Sequence, residues 1–297
     1  MTDARNARLR ELLAAASPLV VPGAADALSA RVAVAAGFEA VYLTGAGLTN
    51  SYLGAPDVGL VSLSQLADHT EALRLAVDVP LIVDADTGFG GPLNVHRAVQ
   101  VLERRGANAI QLEDQTFPKR CGHFEGKQVI PAADMVAKIH AALDARDDDR
   151  LTIIARTDAR AVHGLAEALD RAHAYHEAGA DVLFVEAPQA VEEIARIGAS
   201  LPGPLLVNMV EGGRTPLLPA DRLGALGFSC VLYANAALRA AVYGMRGVLT
   251  HLRKHGTTEE VQAQMISWQE RQDLVGKPAF DELEERYASP PPNRTSA

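Results

Sequence analysis

Two short stretches of this 297-residue chain gather side chains able to do chemistry. In VDADTGFG, residues 83–90, Asp84 and Asp86 are separated by one residue, so on a strand both carboxylates project from the same face. Carboxylates held that close repel unless a cation lies between them. Mg2+ suits the arrangement, because it takes a few carboxylates, several waters and oxygens from a substrate. Glu113 and Asp114, at the end of AIQLED, extend the acidic cluster into the next unit of the chain. The competing reading is that these acids only cap helices and turns, a routine role for Asp.

The second stretch, QLEDQTFPKRCGHFEGKQVIP at 111–131, places Lys119, Arg120, Cys121 and His123 within five residues. Cations beside a cysteine lower its pKa and enlarge its thiolate fraction. A loop of this length can close over a bound substrate and bring Cys121 in as an acid or a nucleophile; an ordinary surface loop is the alternative. Two glycine-containing turns, TGAG at 44–47 and NMVEGGRTP at 208–216, offer backbone N–H groups to carboxylate or phosphate oxygens. Arg156, in IARTD, ends an apolar run, where a buried cation needs an anionic partner, either a structural acid or the substrate.

The elements that must hold these groups recur. LVVPGAAD, AVYLTG, LIVDAD, AIQLED, TIIARTD, VLFVEAP, LLVNMV and CVLYAN are apolar runs that stop at polar or charged residues. Each is too short for a helix and rich in Val, Ile and Leu, as suits a strand buried on both faces. Stretches of helical period lie between them, including DALSARVAVAAG, NVHRAVQVLERRG and LAEALDRAHAYHEAG, and Gly37, Gly106 and Gly179 stand where helix C-termini are expected. Eight such units predict an α/β chain folded as a (β/α)8 barrel. No GxGxxG follows the first run, which counts against a dinucleotide-binding sheet. Barrel active sites form at the C-terminal ends of the strands, where this sequence puts Tyr42, Asp84, Asp86, Glu113, Arg156, Glu186 and Asn208.

After the eighth run come AALRAAVYGMRGVLTHL, TEEVQAQMISWQERQDLVG and FDELEERYA, more helix than closing a barrel requires. The expectation is one barrel domain with a C-terminal helical extension over 1–288 and a disordered Pro-rich tail at 289–297. A net charge of −9 gives no support to nucleic-acid binding. Cys121 and Cys230 are too few for a disulfide framework, and no run approaches the roughly 18 apolar residues of a membrane span. A cytoplasmic protein, with neither nucleic acid nor membrane as partner, is expected.

KRCGH at 119–123, VDADTGFG at 83–90, QLEDQ at 111–115 and IARTDA at 154–159 together resemble the isocitrate lyase and phosphoenolpyruvate mutase superfamily. The resemblance runs over nearly the whole chain, from residue 8 to residue 287. NMVEGG at 208–213 and ERQDLVG at 270–276 are most similar to the branch holding 2,3-dimethylmalate lyase, oxaloacetate-acting enzymes and carboxyvinyl-carboxyphosphonate phosphorylmutase-like sequences, with methylisocitrate lyase close by.

The resemblance implies a Mg2+-dependent barrel, with Mn2+ as the alternative ion, whose eighth helix is swapped between subunits of a homotetramer. It implies that Asp84, Asp86 and Glu113 hold the metal, mainly through water, with Asp57 in support. Thr44, Gly45 and Ala46 would bind a substrate carboxylate, and Thr44 stands where the family more often has Ser. Arg156 would hold the oxygen that becomes a keto group, while Glu186, Asn208 and Glu211 line the far side and Arg271 contacts substrate. Within KRCGH, Cys121 would be the proton donor, with Lys119 and His123 catalytic beside it and Arg120 and Gly122 on the substrate. Tyr42 is the candidate for handling the hydroxyl proton.

The implied activity is a lyase that cleaves a C–C bond of a small anionic 2-hydroxy di- or tricarboxylate, of 2-alkylmalate or methylisocitrate type. The products would be a 2-oxo acid such as pyruvate and a second carboxylate. An oxaloacetate decarboxylase or hydrolase is the alternative, and a phosphonate phosphorylmutase a further one. Leu48, Tyr233, Ala234 and Asn235 are expected, with Thr44, to set the size of the pocket.

Overall fold

The computed structural model describes residues 4–120, 122 and 126–288. Eight parallel strands close on themselves: β1 (Leu19–Ala24), β2 (Val41–Leu43), β3 (Leu81–Asp84), β4 (Ala109–Glu113), β5 (Thr152–Thr157), β6 (Val182–Val185), β7 (Leu205–Asn208) and β8 (Cys230–Tyr233). Each pairs with the next, and β8 returns to β1 with Leu19 opposite Cys230. The expected (β/α)8 barrel is the fold, with helices running back between successive strands.

Side-chain parity divides the strands into two environments. Val41, Leu43, Leu81, Val83, Ile110, Leu112, Ile153 and Ala155 pack outward in one apolar cluster with the helices. Their neighbours Tyr42, Ile82, Ala109, Ile154, Val182, Phe184, Leu206 and Leu232 form a second cluster inside the barrel. Because the period is two, the same alternation directs Asp84, Gln111, Glu113 and Arg156 inward at the C-terminal end.

The opposite end is plugged. Leu9, Leu12 and Leu13, from a helix over Ala4–Leu13 that the sequence reading did not single out, belong to the interior cluster. Asn6 fastens this helix by donating to Asp148 at 3.0 Å and accepting from Asn108 at 2.7 Å. With its floor sealed by leucine, the barrel offers solvent only its C-terminal mouth.

Local signals hold the outer helices in phase. Asp26 and Ser29, and likewise Ser62 and Gln65, form reciprocal capping boxes, and Pro92 opens the helix Pro92–Arg104. Gly37, Gly106 and Gly179 each turn the chain out of a helix at positive φ.

The chain divides into two compact units, 1–239 and 240–297. The second contains most of the helix Ala236–His255, then Glu259–Gln264, Trp268–Leu274 and Lys277–Ala288. The helix Ala236–His255 has no buried residue; Val242, Tyr243, Met245 and Leu249 are exposed on it, and Trp268, Phe280 and Tyr287 on those that follow. Among the described residues no helix is long and apolar enough to cross a membrane. The expected tail at 289–297 lies outside the described residues.

Candidate active site

The mouth of the barrel holds a cavity of about 450 Å3, counted out to its opening and lined by residues from every side of the barrel, including Tyr42, Asp84, Glu113, Arg156, Glu186 and Asn208.

Asp84 and Asp86 do converge, but not for the reason expected. β3 stops at Asp84, and Asp86 lies beyond it in the left-handed region, with φ of 49°. The same-face argument for a strand therefore does not reach Asp86; a turn delivers it, and the Asp86 N–H donates to Asp84 Oδ1 at 3.2 Å. Gly45 shows the convergence: a Cβ there would stand 3.1 Å from Asp84 Oδ2 and 3.2 Å from Asp86 Oδ1. The Gly45 N–H donates to Asp84 Oδ2 at 3.3 Å, and Gln111 Nε2 donates to Asp84 Oδ1 at 3.3 Å.

Lys119 meets this pair from the side. Its ammonium ion-pairs with Asp86 at 2.7 Å and with Asp57, and it is 4% exposed. Burial works against the Lys119 ammonium, but Asp86, Glu113, Asp57 and Asp84 hold its proton more firmly than usual. Burial pushes the Asp86 carboxyl up to about 7 in spite of Lys119. Glu113 is likewise raised well above the usual range by burial, against the pull of Arg156.

Glu113 and Arg156 are cross-strand neighbours on β4 and β5, and Arg156 Nη1 lies 3.3 Å from Glu113 Oε2. The guanidinium also donates a fork to Asp158, Nε to Oδ2 at 2.9 Å and Nη2 to Oδ1 at 3.1 Å, and stands 3.8 Å from Glu186. Structural acids thus supply the anionic partner that a buried cation requires. Burial opposes the charge on Asp158, yet Arg156 and Lys127 hold its pKa down to about 2.

Asp114 departs from the expectation. Adjacent to Glu113, it faces the opposite side of the sheet, away from the cavity. There it accepts hydrogen bonds from Thr157, Tyr175, Arg171 and the Asp158 N–H. It belongs to the packing of the helix layer and adds nothing to the acidic cluster at the mouth.

Tyr42 is buried inside the barrel beside Asp84. Burial first, and Asp84 next, push its pKa well up, so at neutral pH it is a phenol that donates a hydrogen bond rather than a base. Thr44 Oγ1 accepts from the Gly47 N–H at 3.2 Å, and the Thr44 N–H donates to Ala24. Two of the three backbone donors expected at Thr44, Gly45 and Ala46 therefore already have acceptors within the chain.

Gly122 is buried against the site: a Cβ there would come within 2.6 Å of both Arg156 Nη2 and Glu186 Oε1. Arg120 lines the mouth, with its backbone N–H and carbonyl paired to the Gln115 amide. Cys121 and His123 lie outside the described residues. Glu211 does not line the cavity; it sits on the loop after β7 and pairs with Arg239. Arg271 is exposed on the helix Trp268–Leu274 of the second unit, beside a recess that includes Met265, Ile266 and Trp268. Of the residues expected to set pocket size, Ala234 and Asn235 line the cavity, whereas Leu48 and Tyr233 pack with the outer cluster.

Gln111, Lys127 and Asp158 at the site were not anticipated, nor were Phe184, Val210 and Leu232 in the lining of the cavity. Asp158 carried a readable signal, its two-residue spacing from Arg156. Lys127, in a loop without periodicity, carried none.

The donor set suits a divalent cation held partly through water. Asp57, Asp84, Asp86, Glu113, Asp158 and Glu186 are six carboxylates facing the three cations Lys119, Lys127 and Arg156. Glu113 Oε1 is buried with no hydrogen-bond partner among the described residues. Among those residues no three acid, imidazole or thiolate groups close around one point.

The chain is 46% identical over 283 residues to 2,3-dimethylmalate lyase of Eubacterium barkeri, covering 95% of this chain and 98% of that protein. It is 44% identical to 2-methylisocitrate lyase of Aeropyrum pernix, covering 94% and 89%. Among solved structures, a 2,3-dimethylmalate lyase superposes with a TM-score of 0.91 at 35% identity, covering 100% of this chain and 99% of that one. Oxaloacetate acetylhydrolase bound to 3,3-difluorooxalacetate gives 0.90 at 35%, covering 97% and 98%. Phosphonopyruvate hydrolase in complex with oxalate and Mg2+ gives 0.87 at 35%, covering 97% and 100%. Residues 9–253 match the family model described as phosphoenolpyruvate phosphomutase. With that match across most of its length and these relatives beside it, the chain belongs to the phosphoenolpyruvate phosphomutase family of the isocitrate lyase superfamily.

Proposed function

We propose that this protein is a Mg2+-dependent C–C lyase that cleaves a 2-hydroxy di- or tricarboxylate of the 2-alkylmalate or methylisocitrate type. The observation that carries the reading is the convergence of Asp84 and Asp86 beside Arg156 and Lys119 at a barrel mouth, in a chain 46% identical to a dimethylmalate lyase. Asp84 and Asp86 would hold the ion, with Glu113 and Asp57 in support; Mn2+ is the alternative ion. Bound there, the ion supplies Lewis-acid polarisation of the substrate's hydroxyl and carboxylate oxygens.

The protein's own groups account for the remaining steps. Arg156, gripped by Asp158, presents its guanidinium to the oxygen that turns from hydroxyl to carbonyl. As the hydroxyl gives up its proton to the Asp84 carboxylate and the C=O bond forms, the neighbouring C–C bond breaks, and its electron pair leaves on the carbon next to a carboxylate. Cys121 returns a proton to that carbon. Tyr42, a phenol hydrogen-bonded to Asp84, orients the carboxylate that faces the substrate hydroxyl. Thr44, Gly45, Ala46, Glu186 and Asn208 bound the substrate's carboxylates; Arg120, Gly122, Lys119 and His123 close over it. The exposed apolar residues of the second unit support a homo-oligomer, which we take to be a helix-swapped tetramer. The two-cysteine composition supports a cytoplasmic setting.

A second reading, cleavage or decarboxylation of oxaloacetate at the same ring of residues, is favoured by the likeness to oxaloacetate acetylhydrolase. One experiment separates the two. 2-Alkylmalates, methylisocitrate, isocitrate and oxaloacetate are incubated with the protein and Mg2+, and the products are identified. A 2-oxo acid formed from a 2-hydroxy acid supports the lyase, and turnover of oxaloacetate alone moves the assignment to the second reading. No turnover of any of them sinks both.

A further inference from the structure

Lys127 is buried at the edge of the site without taking part in the ring that faces the substrate. Its side chain is 2% exposed, and Asp158 is fully buried. The ammonium makes two bonds: one to Asp158 Oδ1 at 2.7 Å, the other to the carbonyl oxygen of Gly122. Asp158 Oδ1 is the oxygen that also accepts from Arg156 Nη2, at 3.1 Å. One carboxylate oxygen thus receives both cations. Gly122, at the far end of the link, occupies a place that no Cβ could share, against Arg156 and Glu186.

We propose that Lys127 is a positioning residue: by bridging the Gly122 carbonyl to Asp158, it sets where Gly122 rests and steadies the carboxylate that orients Arg156. A lysine suits the task because it is a compact charge with three donors, able to serve a carbonyl and a carboxylate at once. Removing the lysine would leave the buried Asp158 with one cation fewer. The proposal rests on the lyase reading for its kinetic consequence alone; the contacts themselves do not depend on the substrate.

The test uses the full-length protein and two variants. In Lys127→Met, kcat on whichever acid the wild type cleaves is expected to fall about 100-fold while KM stays within about threefold, the pattern of misplacement rather than lost binding. Trypsin cleavage after the exposed Arg120, followed by mass spectrometry under native conditions, is expected to accelerate about tenfold as Gly122 is released. Gly122→Ala removes no charge and displaces the same residue, so it is expected to reproduce both effects if Lys127→Met fails to fold. Wild-type kcat in a folded Lys127→Met protein overturns the proposal, as does unchanged cleavage after Arg120 in either variant. If the wild type cleaves none of the acids, the lyase reading fails, and the proteolysis result alone decides the role of Lys127.

Discussion

Asp158 grips Arg156 with both carboxylate oxygens, at 2.9 and 3.1 Å, from only two residues away on the same strand end. A planar fork matched to a carboxylate fixes the guanidinium plane as well as its place. Arg156→Lys keeps the charge but offers a single ammonium to Asp158, Glu113 and Glu186 together. It is expected to lower kcat by about 10²–10³-fold with the fold intact, measured by steady-state kinetics and circular dichroism. A Lys variant with near-native kcat removes Arg156 from its assigned role.

Asp84→Asn and Asp86→Asn each take one charge from the converging pair beside Gly45. Each is expected to cost about 10³-fold in 2-oxo acid formation and to abolish the rise in Tm that Mg2+ brings about in the wild type. Retention of that rise in both variants shows that the ion binds elsewhere.

The site also makes stability depend on pH and metal in a defined sense. Asp86, raised to about 7 by burial against an ordinary value of 3.8, stays protonated in the folded chain where the unfolded chain has released its proton. The folded state binds more protons between those values, so without metal stability falls as pH rises through that window. Asp158 acts in the opposite sense, but only in acid. Held down to about 2, it stabilises the fold above the ordinary carboxylate range and loses that contribution as pH falls through about 2. Because Mg2+ takes the deprotonated carboxylates, its stabilising effect should be larger at pH 7.5 than at pH 5. Scanning calorimetry with Mg2+ and with EDTA at the two pH values measures it; equal increments at both would show that Asp86 is not involved.

Cys121→Ser separates the two chemistries of the proposed function. Cleavage of a 2-hydroxy acid ends in a carbanion that needs a proton donor, whereas decarboxylation of oxaloacetate needs only enolate stabilisation. Lyase turnover should drop about 10²-fold or more while any oxaloacetate decarboxylation persists. Equal losses on both substrates contradict the assignment of Cys121 as that donor.

The leucine floor of the barrel makes the last prediction. Leu9 is fully buried among the interior residues, far in the structure from the acids at the mouth. Leu9→Ala is expected to cost about 2–5 kcal/mol of stability, read from denaturant unfolding, with kcat unchanged at temperatures where the variant is folded. A kcat loss without a stability loss would tie the floor to the chemistry.

Much of this was legible in the chain itself. Eight apolar runs, each ending in polar residues, determined the barrel and the end of it that would carry chemistry, because a strand buried on both faces has to be apolar and short. Asp84, Glu113 and Arg156 were readable for the same reason: their spacing from the apolar runs set their level and face. Tertiary structure decided the rest. It stopped β3 at Asp84 and delivered Asp86 by a left-handed turn, turned Asp114 to the helix layer, and sealed the floor with Leu9, Leu12 and Leu13. It alone joined Lys127 to Asp158 and Lys119 to Asp57, pairs separated by 31 and 62 residues. Periodicity reports the face a side chain takes on its own element; which distant charge it meets depends on how the loops fold back, and no local pattern records that.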